Sequence, residues 1–257
     1  MSRVFITGSA DGLGKMAAQL LVADGHRVVV HARNPKRAAE ALAAVPGAEA
    51  AVFGDLASIA ECRDIAEQVN ALGAFDAAIH NAAVGDRESR RIETVDGLSH
   101  TFAINALAPY ILTALIRKPR RLVYMSSGMH RGADSSVDDL AWRKRPWNGS
   151  DAYSDSKLHD AILALAVARR WRDVLSNAVD PGWVATRMGG RGAPDDLRAG
   201  AVTQAWLATS GEPAAQVTGQ YFHHLKARAA DPAAHDIATQ DRLIDAFARI
   251  SGLPFPD

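Results

Sequence analysis

The sequence predicts an α/β fold, in which a doubly wound parallel sheet of about seven strands carries helices on both faces. Short runs of apolar and β-branched residues alternate with longer helical runs along the 257 residues, which is typical of a parallel sheet. No linker, low-complexity tract or internal repeat interrupts this alternation. Because α/β chains of this length commonly fold as one unit, we predict a single domain over residues 1–257.

Each predicted strand is a short apolar run bounded by turn-forming residues. The predicted strands lie within RVFIT (3–7), HRVVVHA (26–32), AEAAVFGDL (48–56), FDAAIHNA (75–82), RRLVYMSS (120–127) and LSNAVDPGW (175–183), with VTGQYFHH (217–224) as the candidate seventh.

The predicted helices lie between these strands, and some carry end signals. The first predicted helix ends at Gly25, a typical C-cap residue, and Pro35 occupies the first position of the second. The predicted helices cover residues 13–25, 35–45, 58–72 and 97–116, and a further helix contains Tyr153.

The composition excludes several classes of function. The 29 basic and 29 acidic side chains balance, so we expect no nucleic-acid partner and no anionic membrane surface. Cys62 is the only cysteine, which excludes an intrachain disulfide and metal sites built on paired thiols. We predict no metal. The sequence shows no signal-peptide pattern and no run of 18 apolar residues, so we expect a cytoplasmic protein without a membrane span.

The first strand runs into the segment T-G-S-A-D-G-L-G, which contains Thr7, Gly8, Gly12 and Gly14. Glycines at such a turn let the backbone approach a pyrophosphate closely and let the helix pack against the strand. The N-terminus of the following helix offers free N–H groups and the positive end of its dipole. This strand–turn–helix unit predicts a nucleotide site of the Rossmann type, although a tight turn alone would also use glycines.

The end of the second strand bears on the choice of cofactor. Sites that prefer NAD place a carboxylate there to bind the ribose 2′-OH, whereas this chain has Ala32 and then Arg33. A guanidinium can pair with a 2′-phosphate, so the sequence favours NADP over NAD. Lys36 and Arg37 either help to bind the 2′-phosphate or are solvated helix charges, and the second interpretation is favoured. Asp55 either binds an adenine amino group or serves as a turn or cap residue.

The segment Y-S-D-S-K places Tyr153 and Lys157 one helical turn apart. A tyrosine ordinarily loses its proton near pH ~10, and a neighbouring ammonium favours the phenolate. The pair is therefore interpreted as a phenol prepared for proton transfer near neutral pH, the alternative being a surface pair.

These motifs together resemble the short-chain dehydrogenase/reductase family over most of the chain. The matching segments, in the family's order, are TGSADGLG (7–14), DL (55–56), HNAA (80–83), Asn105, Ser127, YSDSK (153–157) and PGWVAT (181–186). The opening FITGSADGLG, the motif YSDSKL and the long interval between Ser127 and Tyr153 are similar to the retinol-dehydrogenase-like and anthracycline-ketoreductase-like branch.

The resemblance implies a role for each matching position. Tyr153 would be the general acid/base, Lys157 would bind the nicotinamide ribose, Ser127 would hold the substrate carbonyl oxygen and Asn105 would support the lysine through water. Ser126 competes with Ser127 for the carbonyl role. The residues implied to bind the cofactor are Thr7, Gly8, Asp11, Gly12, Leu13, Gly14, Arg33, Asp55, Leu56, Asn81, Ala82, Tyr153, Lys157, Pro181, Gly182, Val184 and Thr186.

Two departures from the family pattern stand out. Ala83 replaces a glycine, so the loop that carries Asn81 is expected to sit slightly differently while still binding cofactor. The stretch 128–152 makes the serine-to-tyrosine interval about twice the usual one, and it contains Trp142 and Trp147. These tryptophans and Trp183 either fill packing gaps or wall an apolar pocket. His130 either touches substrate or is an ordinary loop histidine, the second interpretation being favoured, and His223–His224 is interpreted as structural.

The sequence therefore predicts an NADP-dependent carbonyl reductase or alcohol dehydrogenase that acts on a small-molecule carbonyl or alcohol, of bulky apolar character. The alternative is a non-catalytic, nucleotide-sensing Rossmann protein, which tends to lose the tyrosine or lysine that this chain keeps. The family resemblance also suggests a homodimer or homotetramer built on helices 97–116 and 153–172, where Arg169, Arg170 and Arg172 would crowd a symmetric interface.

Overall fold

The computed structural model describes residues 1–85 and 87–256 and contains one eight-stranded sheet in the order β3-β2-β1-β4-β5-β6-β7-β8. The strands are β1 Arg3–Ile6, β2 Arg27–Ala32, β3 Ala50–Phe53, β4 Ala77–His80, β5 Arg121–Met125, β6 Leu175–Asp180, β7 Tyr221–His223 and β8 Lys226–Arg228.

The sheet confirms the predicted doubly wound arrangement. Strands β1 to β7 pair in parallel, and the register aligns Phe5 with both Val29 and Ala78. The eighth strand, which the sequence did not predict, pairs antiparallel with β7. It escaped prediction because β8 is three exposed residues long and two of them are charged.

Nine α-helices cover the sheet in the described part of the chain. They are α1 Gly12–Ala23, α2 Pro35–Ala44, α3 Ile59–Ala71, α4 His100–Phe102, α5 Ala108–Leu115, α6 Gly149–Arg170, α7 Leu197–Thr209, α8 Pro232–His235 and α9 Ile237–Ser251. A π-helical turn, Ala103–Leu107, joins α4 to α5, and none of the described helices is long and apolar enough to cross a membrane.

The last three helices were not predicted. Helix α7 buries mainly small residues, so its apolar pattern is weak. Helix α9 has clear end signals, since Asp236 accepts a hydrogen bond from the Thr239 amide and Gly252 follows with φ 67°. Those two residues would have identified α9 from the sequence.

Alternate residues of the central strand supply the two faces of the sheet, as the two-residue period of a strand requires. Phe5 packs with α3, α5, α6 and α9 on one face. Val4 and Ile6 pack with α1, α2 and α7 on the other. Both faces are buried, so the strands read as continuous apolar runs.

The order in which strands are added to the sheet reverses at β1. The strands β2 and β3 lie on one side of it, and β4 to β8 lie on the other. In open α/β sheets, ligands bind at the carboxyl ends of the strands next to such a switch point. The segments that follow β1, β4, β5 and β6 are therefore the ones to build a site.

Candidate active site

The turn after β1 has the backbone shape that a phosphate cradle needs. Gly8 and Gly12 have φ of 62° and 53°, a region that glycine enters without steric cost. A Cβ on Gly8 would lie 2.8 Å from Ala82 Cα, and one on Gly14 would lie 2.3 Å from the Asn81 side chain. At Gly12 a Cβ would meet only Thr186 atoms, at 3.8 Å or more, so this glycine borders open space.

The loop after β4 is tied to this turn by a compact hydrogen-bond network. The Thr7 hydroxyl accepts from the backbone amides of Asn81 and Ala82 at 2.9 and 3.0 Å. The side-chain amide of Asn81 donates through Nδ2 to the backbone carbonyls of Thr7 and Gly8. Thr7, Gly8, Asn81 and Ala82 thus come together as predicted from the motifs, and the chain keeps this contact with Ala83 in place of glycine.

His31 is a component of the site that the sequence did not reveal. Its buried ring, at the end of β2, accepts from the Gly8 amide through Nδ1 at 3.1 Å and contacts the Gly54 carbonyl through Nε2 at 3.0 Å. These two bonds require the neutral tautomer with hydrogen on Nε2. Burial lowers the pKa of His31 to about 4, which keeps that tautomer present near neutrality.

Two arginines after β2, Arg37 and Arg33, differ in whether a carboxylate pairs with them. Arg37 forms ion pairs with Asp11, on the turn, and with Glu40, so it is not the purely solvated charge that the sequence suggested. Arg33 is exposed, and no carboxylate of residues 1–85 or 87–256 pairs with it. The guanidinium of Arg33 is thus available to an anion beside β2.

Three of the residues predicted to bind the cofactor make contacts within the protein itself, namely Asp55, Leu56 and Leu13. The Asp55 carboxylate accepts from the Ala57 amide at 2.9 Å, and Leu56 is buried in the core. Leu13 packs against Gly200 of α7. These contacts agree with the turn interpretation of Asp55, and the predicted cofactor contacts of all three residues stay predictions.

The two serines after β5 have different surroundings. Ser126 is buried, and its hydroxyl donates to the Lys157 carbonyl at 2.7 Å. Ser127 is partly exposed, and its hydroxyl accepts from the Met129 amide at 3.2 Å. Because the Ser126 hydroxyl is committed to the backbone, the surroundings favour Ser127 for a substrate contact.

His130 holds the backbone of Ser127 through a hydrogen bond on its buried side. Its Nδ1 lies 2.7 Å from the Ser127 carbonyl, its Nε2 accepts from the Asp231 amide, and its ring stacks on Tyr221. The imidazole is fully buried and burial lowers its pKa, so it is a neutral internal support.

Tyr153 and Lys157 lie in the first three turns of α6, which begins at Gly149 and is capped by the Asn148 side chain. Tyr153 is partly exposed. The Lys157 Nζ lies 5.7 Å from the centroid of the Tyr153 ring and donates to the Met125 carbonyl at 2.8 Å. The ammonium is thus close enough to favour a phenolate on Tyr153. Helix α6 packs against the turn Gly128–His130, which brings it beside Ser127.

Asn105 connects α6 to the loop after β4 through hydrogen bonds. Its side chain exchanges hydrogen bonds with the Val84 backbone and donates to the Ser156 hydroxyl at 3.0 Å. Asn105 lies in the π-helical turn, and Pro109 has no N–H to donate to the Asn105 carbonyl four residues back. Pro109 therefore cannot occupy the Asn105 carbonyl, and the relay from Asn105 to Lys157 through water stays a prediction.

The segment after β6 closes over the glycine turn. Asp180 accepts from the Gly182 amide, and Val184 is buried against Gly200 of α7. Thr186 faces Gly12 across the open space described above. Thr186 therefore lies opposite the glycine turn, while Pro181 and Val184 adjoin Gly200 of α7 and Gly182 adjoins Asp195 and His224. The predicted cofactor contacts of these four residues stay predictions.

The tryptophans prove to have different environments. Trp142 is buried and stacks against the Arg145 guanidinium at 3.6 Å, with Trp147 5.4 Å from its ring. Trp147 donates to the Glu88 carbonyl. These contacts fit the packing role for both. Trp183 is 56% exposed and donates to the Gly189 carbonyl, so its role as a pocket wall stays a prediction.

A sequence model of the short chain dehydrogenase family matches residues 2–196. The chain belongs to this family. Short-chain dehydrogenases are NAD(P)-dependent oxidoreductases, and the similar proteins carry matching names.

One relative is an uncharacterized oxidoreductase of Emericella nidulans, 44% identical over 260 residues that cover 100% of this chain and 99% of that protein. A protein of Streptomyces named as a daunorubicin C-13 ketoreductase is 32% identical and covers 85% of this chain and 82% of its own. Human retinol dehydrogenase 13 is 28% identical and covers 98% of this chain and 85% of its own. The predicted branch is confirmed.

Among solved structures, an uncharacterized protein of Mycobacterium paratuberculosis superposes with a TM-score of 0.86. It covers 100% of this chain and 96% of its own at 24% sequence identity. At that identity the likeness supports the short-chain dehydrogenase fold and nothing finer.

The residues present fit a dinucleotide. Gly12 offers open space at the N-terminus of α1, whose cap residue Asp11 makes no side-chain bond to the helix. The first amides of α1 are therefore not capped by Asp11 and suit a phosphate. In the described part of the chain, no group of three or more His, Cys, Asp or Glu residues could hold a metal ion.

Proposed function

We propose that this short-chain dehydrogenase is an NADP-dependent carbonyl reductase or alcohol dehydrogenase, with Tyr153 as its general acid/base. The observation that carries the proposal is the Lys157 ammonium 5.7 Å from the Tyr153 ring, beside the partly exposed Ser127. A ketone or aldehyde of apolar character is the proposed substrate class, supported by the exposed Trp183 near the end of β6.

The chemistry assigns one task to each side chain. A bound nicotinamide cofactor would supply the hydride. Tyr153 donates its phenolic proton to the carbonyl oxygen of the substrate as negative charge develops there. Lys157 favours the resulting phenolate, and Ser127 donates a second hydrogen bond to the same oxygen.

The first test compares wild type with Tyr153→Phe, using NADPH oxidation against a panel of ketones, aldehydes and quinones. We expect the variant to lose about 10²–10⁴-fold in kcat, because general acid catalysis contributes that much. Ser154→Ala, one position along α6, is the matched control. Equal turnover by wild type and Tyr153→Phe would remove Tyr153 from the mechanism, and tight NADPH binding without turnover of any carbonyl would favour the sensing alternative.

The cofactor preference depends on Arg33. Arg33→Asp replaces the exposed guanidinium with a carboxylate that can bind a ribose 2′-OH but repels a 2′-phosphate. A charged hydrogen bond contributes about 1.5–3 kcal/mol, so the ratio of NADPH to NADH affinity should fall at least about tenfold. Affinities are measured by cofactor titration, with Arg27→Asp as control. An unchanged ratio would refute the proposed preference for NADP.

A further inference from the structure

The ammonium of Lys157 has a carboxylate partner that none of the recognised motifs includes. Lys157 Nζ lies 2.8 Å from Oδ2 of Asp160, one turn further along α6. Both side chains are only 2% exposed. The same Nζ donates to the Met125 carbonyl, also at 2.8 Å.

The burial of this lysine raises a physical problem. An ammonium in an apolar interior tends to lose its proton, because burial disfavours the charged form. A neutral lysine could not favour the Tyr153 phenolate, so the proposed mechanism requires that the charge on Lys157 persist. Removing one partner of a buried ion pair leaves the charge of the other partner buried and uncompensated, which destabilises the charged form. In the described part of the chain, Asp160 is the carboxylate that pairs with Lys157.

We propose that Asp160 is a positioning residue that keeps Lys157 protonated and fixes its ammonium beside Tyr153. The inference rests on the proposed roles of Tyr153 and Lys157 and adds the residue behind them. Asp160 itself does not touch the reacting atoms.

The hydrogen-bond geometry supports this role. A protonated lysine has three donors, and two of them go to Asp160 and to the Met125 carbonyl. Met125 is the last residue of β5 and directly precedes the two serines. The ammonium is thus fixed between the end of β5 and α6, with one of its three donors left over.

The other groups around Asp160 leave the pairing to Lys157. Tyr124 of β5 faces Asp160, its phenol is bonded to Thr113 of α5, and His80 of β4 stacks on it. Burial raises the pKa of Tyr124 and lowers that of His80 to about 3, so both are neutral near pH 7. Burial raises the pKa of Asp160 to about 7 against the opposing effect of Lys157. Asp160 is therefore ionised at the alkaline pH where a phenol titrates.

The tyrosine content permits a direct measurement. The chain has four tyrosines, and burial raises the pKa of Tyr110 to about 12 and also raises those of Tyr124 and Tyr221. Tyr153 should therefore ionise first when tyrosinate absorbance is followed with rising pH. Tyr153→Phe identifies this step by removing it.

In Asp160→Asn we expect the Tyr153 step to move up by about one pH unit or more, which corresponds to at least about tenfold in the ionisation constant. The shift should approach that of Lys157→Met, because both variants remove the positive charge beside the phenol. Asp160→Glu keeps a carboxylate and should hold the step within about half a unit. A step that stays in place or moves down in Asp160→Asn would overturn the proposal.

Two further variants separate this role from a merely structural one. Asp155→Asn removes another buried carboxylate of α6, one that pairs with Arg145 at 2.7 Å, and should leave the step in place. In a Lys157→Met background, Asp160→Asn should add no further shift, and it leaves no buried charge unpaired. A further upward shift in that background would overturn the proposal even if the single variant fails to fold, because Asp160 would then act without the lysine. An equal shift in both backgrounds would show that the effect bypasses the lysine.

The titration needs neither substrate nor cofactor, so its result is independent of the proposed reaction. If the step shifts as expected and no carbonyl is reduced, the proposed function fails while the role of Asp160 stands. If carbonyl reduction occurs and the step does not move, the role of Asp160 fails alone.

Discussion

At the scale of single residues, the two adjacent serines show how the fold assigns different tasks to identical side chains. Ser126 continues the inward direction of β5 and bonds the backbone of α6, whereas Ser127 lies in the turn that follows and keeps part of its surface exposed. The sequence alone left the two in competition. Their surroundings separate them.

Ser127→Ala should lower kcat by about 10²–10³-fold, because it removes one hydrogen bond to an oxygen on which charge develops. Ser126→Ala is the matched control, since it removes a buried bond to the Lys157 carbonyl and should cost about 1 kcal/mol of stability. Steady-state kinetics and urea unfolding of both variants distinguish the two. A larger loss of kcat in Ser126→Ala would reverse the assignment.

At the scale of elements, the π-helical turn between α4 and α5 places Asn105 within hydrogen-bond distance of Ser156 on α6. Turns of this kind inside helices are frequently found at functional sites. Pro109 follows the turn, where its missing N–H costs the helix one bond. Pro109 therefore cannot bond the carbonyl four residues back, which belongs to Asn105, the residue that the family resemblance connects to Lys157.

We expect Pro109→Ala to supply the missing N–H, let it bond the Asn105 carbonyl and so withdraw that carbonyl from the lysine. The kcat should fall, by less than the 10²–10⁴-fold that a general acid contributes, while the thermal midpoint does not fall. Pro35→Ala, at the first position of α2, serves as control. A variant with lower stability and unchanged kcat would contradict the relay.

The sequence predicted the features that depend on residues close together in the chain, and it missed those that depend on residues far apart. The glycine turn and the Tyr153–Lys157 pair are local patterns, so their elements were correctly placed. His31 could not be found, because its role arises where β1, β2 and β3 come together. The Asp160 pairing is local, at three residues' distance, but only its burial shows that the charge needs a partner.

At the scale of the whole molecule, α9 covers the helices for which a subunit interface was predicted. Phe247 of α9 is fully buried against Phe102 and Tyr110. Asp241 of α9 pairs with Arg169 and Arg170, the side chains expected to crowd an interface. The oligomeric state and the single-domain organisation stay predictions, and a second copy would have to contact the outer surface of this layer.

Stability of the whole molecule should decline in mild acid because of its buried histidines. Burial lowers the pKa of His31 and His159 to about 4 and that of His80 to about 3, from 6.5. The unfolded chain therefore takes up protons before the folded chain does. Their contribution to stability is complete above pH 6.5 and is lost as the pH falls toward 4.

Urea unfolding between pH 7.5 and 5 should show this decline as a falling midpoint. The dependence of the urea midpoint on pH should be weaker in His159→Gln, because this variant lacks one of the buried histidines that take up a proton on unfolding. The exposed His235 provides the control, since His235→Gln should leave this dependence unchanged. A midpoint that is constant across this range would contradict the assignment of neutral buried histidines.

The position of α9 in the chain also has a consequence for biosynthesis. Helix α6 ends at Arg170, and the helix that covers it begins at Ile237, which is 67 residues later. At roughly 5–20 residues per second, the ribosome takes several seconds to make that stretch. During that interval α6 has an uncovered apolar face, so we expect the nascent chain to be open to chaperones and to aggregation until α9 has been made.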